Sequence, residues 1–125
     1  MIWYNTPDPP AIIEVVEDHG GFVREYFAAV EQLRNTKTQI KITGTCESAC
    51  TLIFALPPDR ICVDPLAKIG FHRAKNIDDP DMADVWSEVM WNSYPDIIRQ
   101  RLQTLTKNFK YLMGQALIPF YSQCK

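Results

Sequence analysis

The sequence predicts an α/β domain that gives way to a helical C-terminal part, and three observations carry that expectation. A β-branched run, Ala11 to Glu17, leads through a glycine turn into an amphipathic stretch and then back to strand-like residues at Thr38 to Thr43. That order is strand, turn, helix, strand, the pattern of a βαβ unit with a parallel pair. A second apolar run, Ala49 to Leu56, starts directly after a serine-bearing turn at Gly44 to Ser48. From residue 79 onward the apolar spacing turns helical.

Taken in order, residues 1–10 are Pro-rich and read as an extended arm. Ala11 to Glu17 is nearly continuous in apolar residues, the pattern of a strand buried on both faces. Asp18-His19-Gly20-Gly21 is a turn. From Phe22 to Arg34, Val23, Tyr26, Phe27, Val30 and Leu33 recur at helical spacing, with charges on the other face. Asn35 to Lys37 breaks that helix. Beyond Thr43, a short helix over Ala49 to Ala55 stops at Pro57-Pro58. Arg60 to Val63 and Lys68 to His72 are strand candidates, and Ala74 to Asp79 is a polar loop. Asp79 or Asp81 caps a helix whose apolar face is Met82, Val85, Trp86, Val89 and Met90. Pro95 stands in the first turn of another, with Ile98, Leu102 and Leu105 inward. A last helix is expected over Asn108 to Leu117, ended by Pro119. Residues 80–125 are therefore expected to be mainly helical, within one domain spanning 1–125.

Bulk composition narrows the function classes. A chain of 125 residues has length for one domain with a sizeable core. Apolar content is 46%, charged content 22%, net charge −2 and pI about 5.6. There is no basic excess of the kind that marks a nucleic-acid binder. No apolar run approaches the roughly 20 residues that span a bilayer. Met1 to Pro10 lacks the basic start and apolar core of a signal peptide, so the expected location is cytoplasmic, or exported and periplasmic if a leader is missing. Cys46, Cys50, Cys62 and Cys124 permit two disulfides in three connectivities, among which spacing does not choose. Their alternative role is as small buried apolar side chains. C-x3-C is neither a zinc knuckle nor a redox pair of usual spacing, so no metal or other cofactor is expected.

Ser48 is the residue on which the chemistry turns. It sits between a strand and an apolar helix, where a tight turn raises a hydroxyl above a sheet and places a helix N-terminus behind it. Such a turn suits a nucleophile, although G-T-C-E-S-A-C is not the G-x-S-x-G of the α/β-hydrolases. A serine needs a base within hydrogen-bond reach, and His72 is the candidate. An acyl-transfer site also needs oxyanion donors, for which the amides of Ala49 and of Gly20 or Gly21 are placed. The plainer roles are a helix cap for Ser48, a simple turn for Gly20-Gly21 and a structural histidine for His72.

Gly20-Gly21, Ser48-Ala49-Cys50-Thr51, Arg60-Ile61-Cys62-Val63-Asp64-Pro65, Gly70-Phe71-His72 and a final Cys124 carry a resemblance. The chain resembles the Clp protease proteolytic subunit and the wider crotonase-like fold, above all small exported bacterial proteins similar to that subunit. The resemblance covers roughly residues 11 to 124. It implies a single-domain, ββα-type core with C-terminal helices, and a serine hydrolase, in particular a peptidase acting on a peptide or protein substrate. It also implies Ser48 as nucleophile, His72 about two dozen residues later as base, and the glycine turn as oxyanion donor. Homo-oligomers are expected by the same analogy, with Trp86, Trp91, Tyr94 and Phe109 as a contact surface. The family's acid has no counterpart, since position 121 is tyrosine. Asp78, Asp79, Asp81 and Asp84 lie closer to His72 without a motif that selects one, and His19 is placed near the site. On that frame the expected pairings are Cys50–Cys62 and Cys46–Cys124. The competing function is a catalytically silent binding or assembly module of the same fold.

Overall fold

The computed structural model describes residues 11–75 and 79–125. The expected N-terminal arm and Asp78 lie outside these residues. The chain is a mixed α/β protein with a curled, half-barrel sheet. Strand β1, Ile12–Asp18, runs parallel to β2, Gln39–Glu47. β2 then pairs in parallel with β3, Ile61–Val63, along its first half and with β4, Lys68–Phe71, along its second. Sharing one edge between two partners bends the sheet and brings the C-terminal ends of β1, β2 and β4 together.

β1 is expected to be buried on both faces, and the structure differs. Ile13, Val15 and Asp18 point inward, while Ile12 and Val16 are 56% and 60% exposed. A register shift between Val15 and Glu17 changes which side chains face the core. It turns Asp18 inward, as a one-residue bulge does.

Helix α1, Val23–Arg34, buries Tyr26, Ala29, Val30 and Leu33 in the core. The apolar run after Ser48 is a 3₁₀ segment, Ser48–Ala55, buried from Ala49 through Phe54. Helix α2, Pro80–Ser93, is capped by Asp79, whose carboxylate accepts from the Asp81 and Met82 amides. Its buried positions are Ser87 and Met90, whereas Met82 and Val85 are exposed. The inward face is thus rotated from the one the apolar spacing implies. Ser87 turns inward because its hydroxyl donates to the Ala83 carbonyl and accepts from the Ala74 amide. Helix α3, Asp96–Leu102, keeps Ile98 and Leu102 buried, with Leu105 just beyond it.

The tail departs most from expectation. In place of a helix over Asn108 to Leu117 there is a strand, β5, Lys110–Met113, and a 3₁₀ turn, Gly114–Leu117. β5 pairs antiparallel with β4, and its burial alternates, with Tyr111 and Met113 outward. The free edge of β4 supplies hydrogen bonds that an isolated four-residue segment cannot make as helix. A two-residue strand, β6, Ser122–Gln123, closes the sheet beside β3. No helix among the described residues is long and apolar enough to cross a membrane.

All four cysteines are bridged, but as Cys46–Cys50 and Cys62–Cys124. The expected Cys50–Cys62 and Cys46–Cys124 pairings are therefore wrong. Cys46 and Cys50 both face the core, with Cα atoms 5.5 Å apart across the β2-to-3₁₀ junction. Cys62 lies beside Lys41 at the other end of β2, between the inward Ile61 and Val63. It meets Cys124 where β6 runs alongside β3, with Cα atoms 4.9 Å apart.

Candidate functional site

Ser48 has φ +59°, in the left-handed region that non-glycine residues rarely adopt. The strand ends at Glu47 and the 3₁₀ segment begins at Ser48, so the turn between them has no intervening residues. The Cys46–Cys50 bridge closes this turn from the core side. Thr51 donates to the Ser48 carbonyl at 2.6 Å, and the buried Tyr94 hydroxyl, 2.7 Å away, donates to Thr51 in turn. Burial pushes the Tyr94 phenol well up, which keeps it a donor. Tyr94 is accordingly a core residue rather than part of an exposed aromatic surface. Glu47, not Ser48, occupies the N-cap position of the segment, so the Ser48 hydroxyl is not its cap.

That hydroxyl instead meets His72. The imidazole Nε2 lies 2.8 Å from Ser48 Oγ. His72 follows β4 directly and is 7% exposed. Burial, and then the charge of Lys75, hold its pKa below the usual histidine value. The Lys107 main chain and the Glu47 charge act in the opposite direction without reversing the shift. The ring is therefore neutral at neutral pH, the state in which it accepts a proton. Its other nitrogen, Nδ1, is buried with no hydrogen-bond partner of ordinary geometry among the described residues. Among the described residues, two of the candidate acids are engaged elsewhere: Asp79 caps α2, and Asp84 pairs with Arg73. Asp81 lies in the exposed first turn of α2.

The glycine turn comes to the same place. Gly20 has φ +91°, and a Cβ added there would stand 2.7 Å from the Ser48 Cβ and 3.0 Å from the Ala49 nitrogen. Only glycine fits such an approach. Its amide donates to Asp18 Oδ1 at 2.8 Å, so the Gly20 N–H is not available to an oxyanion. The same oxygen accepts from Tyr26, which fixes the turn to α1. Gly21 lies on the wall of a cleft of about 740 Å³ that also contains Ser48 and His72. The Ala49 amide stands in the first helical turn, where the helix supplies no acceptor of its own. Phe22, Val23, Met82 and Trp86 give the cleft apolar walls, and Arg24, Glu25 and Lys75 charge its rim.

His19 is not in the cleft wall. Its ring is held between Glu17 and Glu47, and those two hydrogen bonds raise its pKa. Glu47 also accepts from Tyr111 at 2.5 Å, the largest influence holding its carboxyl below the usual range. Arg60 serves the scaffold: its guanidinium donates to the carbonyls of Leu33 and Arg34 at the end of α1 and of Thr38 just before β2. No group of three or more His, Cys, Asp or Glu side chains converges as metal ligands among the described residues. Sequence reasoning missed the contact between Phe109 and His72, whose rings stack with centroids 4.0 Å apart. It placed Phe109 in a helix, and nothing in local spacing joins the two. Missed as well was Lys75, a lone cation in a polar loop. No protein-family model matches this chain, and no curated protein matches it significantly.

Proposed function

We propose that the protein is a serine hydrolase, a peptidase of crotonase-like fold related to the Clp protease subunit, with Ser48 as nucleophile and His72 as base. The observation that carries this reading is the 2.8 Å contact between Ser48 Oγ and a neutral imidazole, on a serine held at positive φ. Backbone strain of this kind costs about 1–3 kcal/mol and persists where the surroundings enforce it, often at active sites. In the reaction, His72 Nε2 takes the Ser48 proton as Oγ attacks a carbonyl carbon. The Ala49 amide, with that of Gly21 on the cleft wall as second donor, stabilises the developing oxyanion. His72 then returns the proton to the leaving amine, and water releases the acyl group by the reverse sequence. The apolar cleft wall suits an apolar side chain of a peptide.

A fluorophosphonate probe tests the assignment. The native protein should label at Ser48, Ser48→Ala should not label, and His72→Ala should label much more slowly. Absence of labelling in the folded native protein ends the hydrolase reading. It would favour a catalytically silent binding or assembly module, a reading that fits a His72 Nδ1 without a carboxylate partner among the described residues.

A further inference from the structure

A catalytic histidine usually has a third group that holds its ring against the nucleophile and stabilises the imidazolium as it forms. Here no carboxylate among the described residues bonds to Nδ1. The face of the ring, however, is covered. Phe109 lies flat on His72, with centroids 4.0 Å apart and planes 14° from parallel. Tyr111 stacks on Phe109 in turn, at 5.5 Å and 18°. The far end of this row is fixed, because the Tyr111 hydroxyl donates to Glu47 and Lys68 Nζ sits 4.3 Å from the Tyr111 ring centroid.

The row is built into the sheet. Gly70 pairs with Glu47 on one side and Tyr111 on the other. A Cβ at Gly70 would come within 2.7 Å of the Tyr111 ring, 3.0 Å of the Phe109 ring and 3.2 Å of Glu47 Cγ. The absent side chain makes the room into which both aromatic rings close.

We propose that Phe109 is a positioning residue that holds the His72 imidazole against Ser48, performing orienting work that no carboxylate among the described residues performs. The idea rests on the Ser48–His72 reading. The ring face of Phe109 also presents the negative side of its quadrupole to the imidazole, which favours the imidazolium formed when Ser48 loses its proton. A stack restrains the ring plane and leaves the tautomer to its other neighbours.

Three variants test it: Phe109→Ala, Phe109→Leu, which keeps apolar bulk without a flat ring, and Phe109→Tyr, which keeps the ring. NMR reads nuclear Overhauser contacts between the His72 ring protons and the Ser48 β protons, and fluorophosphonate labelling runs in parallel. Folding is checked from the dispersed amide spectrum of the sheet. The expected result is weakened Ser48–His72 contacts in the Ala and Leu variants and native contacts in Phe109→Tyr. Labelling should slow about tenfold in the first two, a part of the roughly 10²–10⁴-fold that a positioned base contributes. Unchanged contacts in folded Phe109→Ala or Phe109→Leu overturn the proposal, as does an unchanged labelling rate in either variant. If even the native protein fails to label, the hydrolase reading falls, while the NMR contacts still decide what Phe109 does.

Discussion

Ser48 concentrates two opposed demands, a stable fold and a raised hydroxyl. Its φ of +59° is one that glycine adopts freely and that costs a serine on the order of 1 kcal/mol. Ser48→Gly should therefore be more stable than Ser48→Ala by roughly 1 kcal/mol in denaturant unfolding, although both lack the hydroxyl. Equal stability of the two would show that the turn carries no strain. The pH response of the site follows from His72. Burial and Lys75 lower its pKa below 6.5, so the base stays neutral, and Ser48 reactive, to more acidic pH than an ordinary histidine allows. The half-point of the acid limb of labelling should lie below 6.5, and Lys75→Gln should move it upward but not past that value, because burial remains. The same depression makes stability highest above the unfolded value and lost as pH falls through the folded one, since the unfolded chain binds that proton more tightly. A half-point unmoved by Lys75→Gln in low-salt buffer would discount the lysine.

Among the elements, legibility followed how local the determinants are. α1 was readable because the periodicity of Tyr26, Val30 and Leu33 lies within one helix, and so was the succession of turns that bring Gly20, Ser48 and His72 together. β5 was not, because Lys110 to Met113 becomes a strand only through the free edge of β4, about forty residues earlier in the chain. For the same reason the Phe109 stack on His72 was invisible, and the family's acid was legible only as an unmatched position at Tyr121. The disulfide pairing failed on side-chain direction: one face of β2 carries Cys46 inward, whereas Cys62 sits beside Lys41. Arg60 shows a motif residue acquiring a structural explanation. Its guanidinium, 9% exposed, closes the carbonyl end of α1, where a cation also suits the helix dipole. Arg60→Ala should lower stability by about 3 kcal/mol in denaturant unfolding, by leaving buried carbonyls without a donor. Arg60→Lys should recover only part of this loss, having no fork to span Leu33 and Thr38. A loss under 1 kcal/mol in Arg60→Ala would mean that water replaces the guanidinium.

Across the whole molecule the two disulfides should separate stability from reactivity. Cys62–Cys124 joins residues 62 apart and ties the strand β6 region to β3, whereas Cys46–Cys50 spans a separation of 4. By loop-closure entropy the long bridge stabilises by about 4 kcal/mol and the short one by about 2 kcal/mol. Cys62→Ala/Cys124→Ala should therefore lower the melting temperature the more, by roughly 15 °C in a chain of this size. The short loop encloses Glu47, Ser48 and Ala49, hence the nucleophile and the first helical amide. Cys46→Ala/Cys50→Ala should melt closer to the native protein and yet lose more of its fluorophosphonate labelling, because freeing this turn lets Ser48 leave its positive φ. The long-bridge variant, assayed well below its melting point, should label at near the native rate, since β3 and β6 lie on the far half of β2 from Ser48. The comparison uses two independent readouts, so a general loss of folding cannot imitate it. If the short-bridge variant labels as fast as the native chain, packing of Thr51 and Tyr94 alone holds the turn. If the two melting shifts come out in the reverse order, the bridges act through native contacts rather than through the unfolded chain.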